Sequence, residues 1–138
     1  MRKFMTIIVV TILASSVFSI GVFAQSQDNK EPSMEELASQ EADRLGATLD
    51  LADWQIFYVD STLQHDYIAL DAELKDLQKS KVGNTDIYVA VQDNWMQQIY
   101  NTFQKIFDED QWNAYLKSGA AKQQKARDKR KAKQEGKK

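Results

Sequence analysis

Residues 49–77 read LDLADWQIFYVDSTLQHDYIALDAELKDL, and this stretch decides the fold. It contains no Pro and no Gly, and as a helix it would be roughly 40 Å long at 1.5 Å per residue. A first apolar stripe recurs at steps of three and four: Ile56, Val59, Leu63, Tyr67, Leu70, Leu74 and Leu77. A second stripe lies beside it: Trp54, Tyr58, Ser61, His65, Ile68 and Ala72. Two or three partner helices cannot bury both stripes, so we expect an uncovered face in a single chain.

A shorter helix precedes the long one. Ser33 and Glu36 have the spacing of a capping box, in which hydroxyl and carboxylate each accept a free backbone N–H of the first turn. Gly46 is a weak point at which this helix ends or bends. Asp50 is the predicted N-cap of the long helix, which we expect to run from Leu51 to about Lys79.

A third long helix follows a short turn that contains Gly83 and Asn84. Its stripe is Tyr88, Val91, Trp95, Ile99, Thr102 and Ile106. β-Branched residues near its start allow a strand, but the helical period continues for five turns and favours a helix. Because the turn is short, the two long helices should form an antiparallel hairpin with coiled-coil character.

The C-terminal part begins with a second capping-box spacing, Asp108 to Gln111, and Gly119 is a point where the fourth helix can be interrupted. Residues 117–138 are rich in Lys and Arg and lack an apolar stripe, so they form a solvated helix or a disordered tail. The predicted fold class is therefore all-α: a long antiparallel helical hairpin, a flanking N-terminal helix and a C-terminal basic helix or tail, three to four helices in total. The helical domain spans residues 33–116.

The first 24 residues have the order of a secretory signal peptide. Arg2 and Lys3 precede an apolar run from Phe4 to Val22, and small residues near Ala24 offer a cleavage site. An uncleaved anchor helix is the alternative. Cleavage would leave a periplasmic or secreted chain that starts with a disordered leader at residues 25–32.

Charge is distributed unevenly along the sequence. Residues 25–116 hold 18 acidic and 6 basic residues, a net charge of −12. Residues 117–138 hold 2 acidic and 10 basic residues, a net charge of +8. The tail has three candidate partners: the acidic part of its own chain, a second copy, or an anionic surface of the cell envelope. An exported protein meets little nucleic acid, so we expect no nucleic-acid partner.

One short pattern occurs at two helix starts. Leu51-Ala52-Asp53-Trp54-Gln55 and Phe107-Asp108-Glu109-Asp110-Gln111 each place Gln four residues after an apolar residue. In this the chain resembles the Spy/CpxP-like periplasmic helical proteins, whose recurrent motif is Leu-Thr-x-x-Gln. Asp108 stands in the second copy where that motif has Thr, and Ala52 stands in the first.

The resemblance implies an α-helical, cradle-shaped homodimer in the periplasm that serves in the stress response, as a chaperone for unfolded proteins or as a regulator of a stress sensor. Family members carry positive charge on the concave face, whereas here the helical part is acidic. A structural module of the envelope, with the basic tail on an anionic surface, is the other hypothesis.

Aromatic residues are the candidate contacts for client proteins, because they offer a large contact area at low entropic cost. The predicted partner-binding residues are Trp54, Tyr58, Trp95, Tyr100, Phe103 and Trp112. Core packing is the alternative role for the same side chains.

Catalytic and metal sites are not indicated. The chain has no Cys and no Gly-rich phosphate loop, and His65 is its only His. A single His cannot assemble a transition-metal site without further N or S ligands. The acidic run 108–110 fits a helix start better than a calcium loop. We therefore expect a non-enzymatic protein without a cofactor or a metal.

Overall fold

The computed structural model describes residues 31–136, and every secondary-structure element in that range is helical. The helices are α1 Met34–Leu49, α2 Asp53–Lys79, α3 Thr85–Ile106, α4 Glu109–Tyr115 and α5 Ala121–Glu135. A π-helical turn, Leu116–Ala120, joins α4 to α5. The all-α prediction is confirmed. The predicted signal peptide and most of the predicted leader lie outside the described residues.

The start of α1 has the predicted capping box. The Ser33 hydroxyl accepts a hydrogen bond from the Glu36 N–H at 3.2 Å, and the Glu36 carboxylate accepts one from the Ser33 N–H at 2.8 Å. The prediction that α1 ends or bends at Gly46 is wrong, because the helix continues through this residue to Leu49. A Cβ at Gly46 would lie 3.3 Å from Ile56 Cδ1, so the glycine lets α1 approach α2 closely.

The predicted N-cap of α2 is wrong. Asp50 adopts the left-handed conformation (φ 51°) and ends α1, with its N–H bonded to the Gly46 carbonyl. Asp is one of the few residues besides Gly that adopt this conformation readily. α2 therefore begins at Asp53, two residues later than predicted, and Ala52 is its N-cap. The Gln55 side chain accepts the Ala52 N–H at 2.9 Å.

The first stripe of α2 forms the centre of the core. Val59, Leu63, Tyr67, Leu70 and Leu74 are buried. α1 covers one side of this stripe and α3 covers the other. The core residues from the flanking helices are Ala38, Ala42, Leu45, Leu49, Ile99 and Phe103.

α2 and α3 form the predicted antiparallel hairpin. Asp66 accepts from Gln98 at 3.3 Å, and Glu73 accepts from the Trp95 ring N–H at 2.7 Å, so residue numbers fall along α3 as they rise along α2. Asn84 caps α3 by accepting the Asp86 N–H at 3.0 Å. The helix includes the β-branched residues at its start, and the strand alternative is excluded.

The helix is kinked at Gly119, and α5 runs antiparallel to α3, with Arg127 beside Gln97 and Arg130 beside Asp93. Gly119 has φ 120°, which interrupts the helix where the sequence predicts it. Residues 117–135 of the basic segment are thus helical, and they belong to the same compact unit as the other helices. Its packing against α3 depends mainly on polar side chains, which are described below.

Candidate functional site

The second stripe of α2 is uncovered. Trp54, Tyr58, Ser61, His65, Ile68 and Ala72 are all exposed, on the side of the helix opposite the core. We call these six residues the outer face. The stripe runs over 19 residues from Trp54 to Ala72, or roughly 27 Å of helix. Its exposed apolar residues are Trp54, Tyr58, Ile68 and Ala72, and exposed apolar groups of this kind are a feature of interaction sites.

Three aromatic side chains are concentrated at the N-terminal end of α2. Trp54 is 56% exposed, Phe57 is 66% exposed and Tyr58 is 54% exposed. Edge-to-face contacts hold them side by side, with centroid distances of 6.2 Å between Trp54 and Tyr58 and 5.7 Å between Phe57 and Tyr58. We call this group the aromatic patch. Its rings are arranged by contact with one another, so a partner meets a preformed surface.

Phe57 is the most exposed of the three and was not among the predicted contact residues. It falls between the two stripes and belongs to neither, so helical periodicity does not indicate it. The signal that could have found it is its position three residues after Trp54 on a helix whose core side is already filled.

The other four predicted contact residues are less accessible. Phe103 is 1% exposed and lies in the core. Trp95 is half-buried between the hairpin helices, where its ring N–H is bonded to Glu73. Tyr100 and Trp112 are half-buried and meet at 4.9 Å. The structure thus brings Trp54 and Tyr58 together, places Tyr100 and Trp112 in a second cluster, and sets Trp95 apart from both.

The second cluster is built around Tyr115. Its ring lies 5.5 Å from those of Trp112 and Phe107 and 5.7 Å from that of Phe103. Burial, and then the nearby Glu41 carboxylate, raise the pKa of Tyr115 to about 12. Burial also raises the pKa of Tyr67. Both phenols are neutral at physiological pH, and burial further favours this neutral form.

The two copies of the short motif meet in space. Gln55 and Gln111 exchange side-chain hydrogen bonds at 2.6 Å and 3.0 Å. Gln55 also donates to the Ile106 carbonyl at 3.0 Å. The Gln111 side chain accepts the Asp108 N–H at 3.0 Å, and Asp108 accepts the Gln111 N–H at 2.8 Å, so the predicted second capping box is confirmed.

This amide pair fixes the position of the aromatic patch. Gln55 follows Trp54 in the sequence, and its hydrogen bonds tie the first turn of α2 to the end of α3 and the start of α4. The first turn therefore has external supports that a frayed helix end lacks. The aromatic patch is presented by a firmly held segment.

Two arginines attach α5 to α3. Arg130 makes a bidentate pair with Asp93, with both N–O distances 2.6 Å. Arg127 is buried, donates to Gln97 at 3.3 Å and lies over the Tyr100 ring at 5.5 Å. Burial lowers the pKa of Arg127, whereas the hydrogen bond to Asp93 raises that of Arg130.

The opposite side of α5 carries unburied lysines. Lys122, Lys125, Lys129 and Lys133 recur at steps of three and four and are all exposed. We call them the lysine stripe. Three partners were considered for the tail. The two arginines bind α3 of the same chain, and the lysine stripe remains available for a second copy or an anionic surface.

His65 is an exposed residue of the outer face, and its ring nitrogen lies 2.7 Å from a carboxylate oxygen of the buried Asp66. Within residues 31–136, no group of three His, Cys, Asp or Glu side chains is arranged to hold a metal ion. None of the helices in the described part of the chain is long and apolar enough to cross a membrane.

Comparisons with known proteins add no relative. The sequence matches no protein-family model, and searches of curated proteins and of solved structures found no similar protein.

Proposed function

We propose that this chain is a non-enzymatic, chaperone-like protein or stress modulator of the cell envelope that binds apolar segments of other proteins. The observation that carries the proposal is the aromatic patch: three large side chains, each more than half exposed, at one end of an uncovered helix face. Covering such rings with an apolar segment lowers the free energy, because apolar surface is removed from water. The rigidity of the rings keeps the entropic cost of binding low.

Two features of the sequence support the location. The first 24 residues have the order of a signal peptide, which would deliver the chain to the periplasm or the exterior. The paired helix-start motifs resemble those of Spy/CpxP-like proteins, and the meeting of Gln55 with Gln111 gives the two copies a shared structural role.

An aggregation assay tests this function. The purified protein should suppress the aggregation of an unrelated unfolding substrate without ATP, and Phe57→Ser should reduce that suppression several-fold. Ile87→Ser is the matched control, because Ile87 is also an exposed apolar residue but lies on α3. No suppression by the wild-type protein at several-fold molar excess would contradict the proposal, and so would equal loss in both variants.

The lysine stripe supports a second candidate function, that of a structural module on an anionic envelope surface. Arg127 and Arg130 hold α5 so that four lysines face away from α3. Replacing the four lysines by Gln should abolish sedimentation with anionic lipid vesicles and leave helicity intact. Continued sedimentation of this variant would remove the support for this candidate.

A further inference from the structure

The aromatic patch is bordered by carboxylates on both sides. Phe57 lines a shallow groove together with Asp43, Asp53 and Asp60. Trp54 lines a neighbouring groove together with Asp50 and Asp108. We call Asp43, Asp53 and Asp60 the aspartate rim. Apolar rings and negative charge therefore occur on the same surface.

No basic side chain within the described residues neutralises this rim. The salt bridges there pair Arg44 with Glu41, Arg130 with Asp93, and Lys75 and Lys79 with carboxylates near the far end of α2. Arg44 is the only Lys or Arg between Glu31 and Leu74. The surface around the aromatic patch thus keeps a negative field, which favours ligands of opposite charge.

A second copy of the chain does not fit this surface. In a two-fold dimer the same patch meets itself, and this would place one aspartate rim against another. The oppositely charged element of the chain is α5, but its lysine stripe carries no large apolar side chain that could cover Trp54, Phe57 and Tyr58. The partner must supply apolar and basic residues together.

We infer that the aromatic patch binds protein segments in which apolar residues are flanked by Lys or Arg, that is, cationic amphipathic segments of client proteins. The rings cover the apolar residues, and the aspartate rim pairs with the basic ones. This inference rests on the proposed function and names the class of client. The charge pairs at the border of the surface mainly select the partner and speed its association.

The test compares the affinities of two peptides for the purified full-length protein. One is an amphipathic peptide with Leu, Phe and Lys, and the other has Glu in place of every Lys. We expect the Lys peptide to bind at least tenfold more tightly at low salt, and this preference to shrink at about 1 M salt because screening shortens the field. Equal affinity for the two peptides would overturn the inference.

Charge variants locate the preference. Asp43→Asn with Asp60→Asn should reduce the preference several-fold. The matched control is Asp76→Asn with Asp86→Asn, which removes the same charge from exposed positions at the other end of the hairpin. An equal effect of the two double variants would overturn the inference, since the preference would then reflect net charge alone.

Two further results distinguish this inference from the proposed function. If both peptides bind equally and Phe57→Ser abolishes both, the inference fails while the proposed function stands. If neither peptide binds and the protein does not suppress aggregation, both fail. A dimer in sedimentation that Phe57→Ser dissociates would also overturn the inference, because a second copy would then occupy the patch.

Discussion

Gln55 and Gln111 show how two side chains can join distant helix starts. Each amide oxygen accepts the backbone N–H of the N-cap of its own helix, Ala52 or Asp108, and also the amide N–H of the other glutamine. Gln55 is only 5% exposed. Ala52 offers no side-chain oxygen as a cap, so the amide pair compensates for part of what the first motif copy lacks.

Replacing Gln111 by Ala should lower the free energy of unfolding by about 1–3 kcal/mol, because it leaves the buried Gln55 amide without its partner. Urea denaturation measures the loss, and a double-mutant cycle with Gln55→Ala should give a coupling energy of at least about 0.5 kcal/mol. Gln104→Ala is the control, since Gln104 is exposed on α3. Additive losses at positions 55 and 111 would show that the two amides do not act together.

At the scale of elements, the 3.6-residue period was sufficient to predict α1, α2 and α3. The first stripe of α2 is buried except for the half-buried Ile56 and Leu77 near its ends, and the second stripe is on the surface. This is expected for a helix with more apolar surface than its neighbours can cover. The start of α2 was mispredicted because Asp is favourable both as an N-cap and as a left-handed residue at a helix end. Here Asp50 ends α1, and the N-cap of α2 lies two residues later at Ala52.

The packing of α5 could not be predicted from periodicity. Arg127 and Arg130 are held by Gln97, Tyr100 and Asp93, which are roughly 30 or more residues away. Such long-range polar contacts leave no repeating pattern in the sequence. A Lys- and Arg-rich helix without an apolar stripe therefore looked solvated on every side, although one side is attached to α3.

The accessible residue Phe57 was missed for the related reason that exposure depends on which neighbours are present.

Gly119 is the residue that allows α5 to return along α3. Its φ of 120° lies in a region that L side chains rarely adopt, although the space around a Cβ there is open. Gly119→Ala should therefore destabilise the protein through backbone strain, by about 1–3 kcal/mol. Amide hydrogen exchange in α5 should rise at the same time, because the strained turn loosens the helix from α3.

The matched control for this change is Gly83→Ala. Gly83 also has open space around it, but its φ lies outside the left-handed region. We expect a change within about 0.5 kcal/mol at this position. Equal effects at Gly83 and Gly119 would show that the turn after α4 does not depend on the special conformation of its glycine.

At the scale of the whole described unit, opposite charges lie on different helices. α1 and α2 are acidic and α2 carries the aromatic patch, while α5 is basic and carries the lysine stripe. Two phenols are removed from solvent in this unit: Tyr67 is buried and Tyr115 is half-buried. Folding therefore holds two groups in their protonated form under conditions that ionise them in the unfolded chain.

This arrangement predicts a loss of stability at alkaline pH. The pKa of Tyr115 is raised from 10.0 to about 12 by burial and by Glu41. Above pH 10 the unfolded chain releases the proton while the folded chain keeps it, so the free energy of unfolding falls as pH rises from 10 towards 12. Below pH 10 this contribution to stability is fully present. In Tyr115→Phe the decline should be smaller, because one of the two shifted phenols is gone and Tyr67 remains.

Urea unfolding followed by circular dichroism just below pH 10 and near pH 12 measures this decline. Tyr58→Phe is the control: Tyr58 is 54% exposed, so its removal should leave the pH dependence as in the wild type. All other side chains are the same in the three proteins, so their contributions cancel in the comparison. If Tyr115→Phe loses as much stability as the wild type over this range, the Tyr115 cluster does not remain closed in solution, and α4 must then open from α1 and α3 before the protein unfolds.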